Sequence, residues 1–199
     1  MKYLIYLFTF YLLFVLTAFI IRKYIQKSLR HMMFNIIPYL NEKEVDYWVD
    51  FGTLIGLHRE GDIIMGDNDC DICIWKKDED KVRPILIEFC LKNPDFTYKE
   101  YDWGAFRLHY RYFHMDIYKA YPLDGEDKIG IPSARETPSY LLSFFEKIEL
   151  PFHNSSLVVK QPSKWKELLE FRYTSNWKKQ INKWWLGYFS IDEAKLSSG

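Results

Sequence analysis

From Tyr3 to Ile21 no residue is charged, and most positions are Leu, Ile, Phe, Val or Tyr. As a helix this run spans about 28 Å at 1.5 Å per residue, close to the hydrocarbon thickness of a bilayer. It passes into Arg22-Lys23-Tyr24 without a small-x-small cleavage site, so it reads as a spanning anchor over residues 1–21, not a signal peptide. Arg22 to about Tyr39 is expected to continue it as a helical stem (22–40) ended by Pro38, with the polar stretch Asn41–Asp46 capping or starting a short helix. Beyond that the pattern shortens. Tyr47–Phe51 predicts a strand stopped by Gly52, Thr53–Arg59 a helix terminated at Gly61, and Asp71–Trp75 a second strand. Asp78–Leu91 predicts a helix with Ile85, Leu86, Phe89 and Cys90 inward and a break at Asn93-Pro94. Trp103–Tyr121 is β-rich, and Pro122–Pro138 has the Pro and Gly content of a loop that could cover a site. Tyr140–Lys147 is a short apolar helix or strand. Lys164–Tyr173 predicts an amphipathic helix marked by Trp165, Leu168, Leu169 and Arg172. There is no internal repeat. This order of strands and helices predicts an α/β (α+β mixed) layered domain over residues 41–199.

Composition narrows the function classes. With 48% apolar and 19% aromatic residues in 199, the chain can bury a real core and is unlike a disordered one. Lys+Arg and Asp+Glu balance at 27 each, so the basic excess of a nucleic-acid binder is missing and any phosphate-handling site must be local. Cys70, Cys73 and Cys90 are too few for a disulfide framework. The C-x-x-C pair lies against the apolar run Ile72-Cys73-Ile74-Trp75 and reads as buried thiols, since no second metal-ligand pair follows. Arg22, Lys23, Lys27 and Arg30 follow the span while only Lys2 precedes it, which by the positive-inside rule puts the large C-terminal part in the cytoplasm. The triplet Asn154-Ser155-Ser156 would be a glycosylation acceptor only on a lumenal domain. The tail Trp177–Phe189, with Trp184, Trp185, Lys178, Lys179 and Lys183, is expected to pack back on the domain in preference to docking at lipid.

The chemistry concentrates between Asp50 and Ile72. Asp69 and Asp71 stand two apart at the head of a strand-like run, so both project from one face. Two such carboxylates repel unless a cation lies between them, and oxygen ligands suit Mg²⁺ or Mn²⁺. A cation held there can bridge nucleotide phosphates and neutralise the charge of an in-line displacement. Asp116, alone in the aromatic segment Phe113–Tyr118, is the best third acid, because a lone buried carboxylate is costly without a partner. Gly52-Thr53 stands where a strand gives way to a helix, a place for close backbone approach and for phosphate at a helix N-terminus. His58, Arg59 and Asp67 complete the candidate substrate- and phosphate-binding set. A calcium loop is disfavoured: Ile72 stands where its glycine belongs, and Asp78 where its glutamate does.

This run resembles the signature of the LicD/fukutin family of phosphotransferases. Trp48, Gly52, Thr53, Leu54, Gly56, Arg59, Gly61, Ile64, Asp67, Asp69, Asp71 and Ile72 fall in its register, with Met65-Gly66 in place of the usual Pro-Trp. His114-Met115-Asp116-Ile117-Tyr118 is similar to the family's later H-x-D element. Leu168–Trp177 is similar to its closing motif, with Thr174 in place of Gly. The resemblance implies a nucleotidyltransferase-like mixed sheet with flanking helices, phosphates near Gly52-Thr53, and Mg²⁺ or Mn²⁺ among Asp69, Asp71 and Asp116. It further implies transfer of phosphocholine or a polyol phosphate from a CDP-linked donor to a glycan hydroxyl, and leaves room for a protein partner in acceptor recognition. Asp116 is left as either metal ligand or proton acceptor. Eukaryotic members act in the ER/Golgi lumen, against the charge bias above. A DxD-type glycosyltransferase using a nucleotide sugar, and a non-catalytic membrane-bound scaffold, stand as alternatives.

Overall fold

The computed structural model describes residues 2–102, 104–125, 128–132, 137–138, 147–152 and 155–179. Helix α1 (Lys2–Glu42) carries two patterns along its 41 residues. Its first half is apolar all round and solvent-exposed, long and apolar enough to cross a membrane. From Gln26 onward one stripe goes under: Leu29, Met32, Met33, Ile36, Ile37 and Leu40 are buried, at spacings that keep them on one helical face. Each such side chain contributes about 1.5–3 kcal/mol of burial, so the stem is seated in the same core as the sheet. Pro38 lies inside the helix and does not end it. The cost of an internal proline is about 3 kcal/mol, and burial of Ile36, Ile37 and Leu40 around it offsets that. Asn41 and Glu42 close α1, and Glu44, at φ 51°, turns the chain into the first strand.

The main sheet has the order β1 (Tyr47–Val49), β2 (Asp69–Trp75), β5 (Phe113–Pro122), β4 (Ala105–Tyr110), β3 (Phe96–Tyr101). β2 and β5 run parallel, and the other neighbours antiparallel. Helix α2 (Phe51–Arg59) joins β1 to β2; α3 (Glu79–Lys92), led in by a 3₁₀ turn at Lys76–Asp78, joins β2 to β3. Cys70 through Ile74 are all buried, which explains the near-continuous apolar run of a strand covered on both faces. β6 (Lys128–Gly130) and β7 (Thr137–Pro138) extend β5 within the stretch expected as a loop. β8 (Lys147–Pro151) and β9 (Val158–Pro162) pair separately and lead to α4 (Trp165–Tyr173).

The expected strand over Tyr47–Phe51 ends at Val49. The Asp50 carboxylate accepts the Phe51 N–H at 2.8 Å and starts α2 there, so Gly52 lies in the helix's first turn. β3 was not anticipated, since five of its six positions face outward or partly outward and are polar or tyrosine. In α3 the inward positions are Val82, Leu86 and Phe89, with Ile85 and Cys90 half-buried against the core. Cys70 and Cys73 are buried free thiols. Tyr140–Glu146, Trp103, Asn154 of the sequon and tail residues 180–199 lie outside the described residues. The described start of the tail packs inward, Trp177 meeting Trp165 edge-on at 5.8 Å.

Arg172 of α4 is buried and ends on Asp50. Both side chains are fully buried and joined by a short ion pair. Asp50 also accepts from Trp48 Nε1 at 3.1 Å, and the Arg172 guanidinium lies 4.5 Å from the Phe51 ring. Removing one partner of a buried pair strands the other charge. Arg172→Ala is therefore expected to cost about 3–5 kcal/mol, read as urea unfolding of the full chain in mild detergent by tryptophan fluorescence. A loss below 1 kcal/mol would contradict this account of the α4 contact.

Candidate active site

The parallel register of β2 on β5 sets Asp69 beside His114 and Asp71 beside Asp116. Alternation along each strand puts all four on one face. His114 Nε2 lies 3.6 Å from Asp69 Oδ2 and 3.9 Å from Asp116 Oδ2. One ligand atom from each of Asp69, His114 and Asp116 falls within 4.8 Å of the others. On the other side of β5, the antiparallel register of β4 brings Arg107 opposite Asp116. Its guanidinium grips that carboxylate bidentately, with the second bond at 2.8 Å. Asp67 enters from the loop before β2, where Gly66 adopts φ 97°, a conformation that Trp seldom takes.

Gly52 and Gly56 are packing devices. A Cβ on Gly56 would collide with the Asp62 carbonyl oxygen and lie 3.0 Å from the Ile64 nitrogen, so glycine lets the 60–68 loop close against α2. A Cβ on Gly52 would stand 2.7 Å from Asp67 Oδ2 and 3.4 Å from Asp71 Oδ2. The Gly52 N–H donates to Asp71 Oδ2 at 3.2 Å, and Thr53 Oγ1 accepts the Asp71 N–H at 2.8 Å. The head of α2 and the head of β2 are therefore stitched together, with the acids between them.

Burial raises the Asp71 carboxyl well above the usual carboxylate range, and the charges of Asp69, Asp67, Asp116 and Asp50 push it further. Asp67 rises for the same reasons, desolvation first and Asp69 next. Burial lowers His114, partly opposed by Asp116, which favours a neutral imidazole with a lone pair to offer. Four carboxylates and one neutral imidazole at one strand edge, with Arg107 their one Arg or Lys partner among the described residues, suit a divalent cation. The donor set fits Mg²⁺ or Mn²⁺.

The remaining candidates sit elsewhere in the contact network. His58 stacks on Trp165 at 3.4 Å between ring centroids and is hydrogen-bonded to Gln161; burial lowers its pKa. Arg59 pairs with Glu60 at 2.8 Å and donates to the carbonyls of Trp177 and Lys179 at 3.3 Å each. These contacts tie α2 to β9, α4 and the following segment. Sequence reading passed over Arg107 and His114 as members of the acid site. Their signal lay in alternation: His114 is two residues from Asp116, and Arg107 is the charged position of an otherwise apolar-aromatic strand.

A sheet of this order, with acids at the head of its parallel strand pair and a Gly-Thr helix start against them, defines the chain as a nucleotidyltransferase-fold protein. Residues 44–157 match the LicD/FKTN/FKRP nucleotidyltransferase domain, more than half of the chain. The chain belongs to the LicD/FKTN/FKRP family of transferases. It is similar to ribitol 5-phosphate transferase FKRP of Homo sapiens, with 25% identity over 158 residues, covering 74% of this chain and 31% of that protein. The Mus musculus protein gives the same figures. An uncharacterised protein of Rickettsia prowazekii is 37% identical over 62 residues, 31% of this chain and 23% of that one. The chain thus spans about a third of the length of the FKRP relatives. Among solved structures it is similar to the lincosamide antibiotic adenylyltransferase LnuA, at 18% identity and a TM-score of 0.44 over 68% of this chain and 81% of that one. It is also similar to the resistance factor ANT(2'')-Ia, at 15% identity and 0.45 over 80% and 77%.

Crowding at Asp71 has a thermodynamic consequence. The unfolded carboxyl ionises near pH 3.9, whereas the folded one holds its proton to higher pH. The penalty is therefore absent below that pH and grows as pH rises toward the folded value. Asp71→Asn keeps an acceptor for the Gly52 N–H and removes the charge. With chelator present it should be measurably more stable than the parent at pH 8, and by nothing measurable near pH 4. Thermal unfolding at the two pH values checks this; a variant less stable at pH 8 would contradict it.

Proposed function

We propose that this chain is a metal-dependent phosphotransferase that moves a phosphorylated group, of the phosphocholine or polyol phosphate type, from a CDP-linked donor to a glycan hydroxyl. The observation that carries this reading is the set Asp69, Asp71, Asp116 and His114 on one face of the β2–β5 pair. The similarity to a ribitol 5-phosphate transferase supports it.

In this reading Asp69, Asp71 and Asp116, with His114 beside them, hold Mg²⁺ or Mn²⁺. A bound divalent cation supplies charge neutralisation for the donor's phosphates and for the growing negative charge of the displacement. The acceptor oxygen forms a bond to the phosphorus that carries the transferred group. The bond from that phosphorus to the oxygen it shares with CMP breaks, CMP leaves, and the hydroxyl proton passes to a carboxylate or to water. Arg107 occupies a lone pair on each Asp116 oxygen and leaves others for a cation. That favours Asp116 as a ligand over Asp116 as the proton acceptor. Asp67, whose carboxylate lies against Gly52 at the head of α2, is then the carboxylate left to take the proton. Gly52 and Thr53 keep a flat backbone against the acids where phosphates approach. His58 and Arg59, the cationic members of the candidate phosphate-binding set, are held at the end of α2 by Gln161, Trp165 and the carbonyls of Trp177 and Lys179.

The test uses the full chain in detergent with Mg²⁺ or Mn²⁺ and a panel of CDP-linked and UDP-linked donors, following nucleotide release. Metal-dependent CMP release is expected, falling at least about 100-fold in Asp69→Ala and Asp71→Ala. Release of UDP from a nucleotide sugar would transfer the site to glycosyl chemistry. A folded protein that releases neither, with or without metal, would contradict the reading.

A further inference from the structure

The acid site lies at the membrane end of the domain. Along α1, the last residue of the apolar run is Ile21, and the first side chain buried in the domain is Gln26, five residues or about 7.5 Å further on. A headgroup layer is about 5–8 Å thick on each side of the hydrocarbon, so the domain body begins where that layer ends. The segments that meet α1 at this level are the ones that build the site. Gln26 Nε2 donates to the Ile63 carbonyl at 2.7 Å, Arg30 pairs with Asp62, and Cys70 Sγ lies 3.9 Å from the Leu29 carbonyl oxygen. The β4–β5 turn reaches higher still. Arg111 donates to Tyr24 Oη at 3.2 Å, and the Phe113 ring lies 6.1 Å from that of Tyr24.

The strands run away from this end. Cys70, at the head of β2, is level with Leu29, whereas Ile74 near its tail pairs with Tyr47, whose hydroxyl meets Asn41 at the far end of α1. β5 is parallel to β2. Of the four site residues, Asp69 and His114 therefore lie nearest this end, and Asp71 and Asp116 lie about 7 Å deeper. At the tip of the turn, Tyr112 is 89% exposed, and Tyr24 is 46% exposed below it. Tyrosines of this kind, flanked by Lys23, Lys27 and Arg111, match the aromatic and basic belt at which proteins meet lipid headgroups.

We propose that the tip Arg111-Tyr112 sits in the headgroup layer, so that the acid edge opens toward the membrane surface and takes as acceptor a glycan carried on a lipid in the same bilayer. The acceptor half of this rests on the phosphotransferase reading above; the seating of the tip does not. A glycan held in the membrane presents its hydroxyl at the height of Asp69 and His114, and two-dimensional confinement raises its effective concentration there.

The full chain carrying Tyr112→Cys and Cys90→Ser, Cys70 and Cys73 being buried, is labelled with an environment-sensitive fluorophore. It is reconstituted in phosphatidylcholine–phosphatidylglycerol vesicles. The same label at Leu91, 81% exposed at the far end of α3, is the control. The residue 112 probe should be quenched by headgroup spin-labelled lipid and several-fold less than the control by aqueous iodide. Equal iodide quenching at both positions, with no lipid quenching, would overturn the proposal. A second arm gives the protein, in its native membranes, a radiolabelled form of the donor that releases CMP. Label in the chloroform–methanol extract is expected. Label confined to delipidated protein or aqueous glycan would overturn the lipid-linked acceptor. No label in any fraction would remove the phosphotransferase reading and the acceptor with it, while the quenching ratio still decides where the tip sits.

Discussion

The parallel register between β2 and β5 is the constraint on which the rest of this protein turns. Shifting it by one residue would send His114 and Asp116 to the opposite face of the sheet and dissolve the cluster they form with Asp69 and Asp71. The register is held from several directions. Cys70, Ile72, Ile74, Met115 and Ile117 are buried beneath or beside the acids. Thr53 and Gly52 bind the head of β2 to α2, and Arg107 locks Asp116 from β4. Such a cluster is unfavourable by itself, since burial and mutual repulsion raise Asp67 and Asp71. The fold tolerates it because the surrounding apolar packing is extensive and because Arg107 neutralises one member. That is the usual trade between stability and a functional site.

Behind the acids lies a second polar element with a different purpose. Asp50, Trp48 and Arg172 form a fully buried network that joins the end of β1, the start of α2 and the C-terminal α4. It fixes where α2 begins, and so where Gly52 and Thr53 meet the acids. Segments more than a hundred residues apart are thereby made to agree on the position of one helix start.

Much of this was legible in the sequence. The i, i+2 spacing of Asp69 and Asp71 and the lone Asp116 in an aromatic strand identified the acids before their geometry was known. The Lys164–Tyr173 pattern marked the helix on which Arg172 lies, without revealing Asp50 as its partner, because pairing over that distance leaves no local trace. Pro38 suggested a helix end that the buried stripe on both sides of it overrides. Asp50 looked like part of a strand because an N-cap residue is itself extended. Arg107 and His114 were missed as site residues because their role depends on which strands lie side by side. That the stem shares the domain's core was equally invisible: the Leu29–Leu40 stripe shows a buried face and not its partner.

In the proposed function the acid edge binds a divalent cation together with a cytidine nucleotide. The most direct measurement is electron paramagnetic resonance of Mn²⁺ titrated into the full chain in detergent, with and without CDP, for the parent and Asp69→Asn. CDP is expected to tighten Mn²⁺ binding severalfold in the parent, and the substitution to remove both the tight site and the effect of CDP. Equal Mn²⁺ binding by parent and variant, or CDP binding unchanged by the metal, would contradict it.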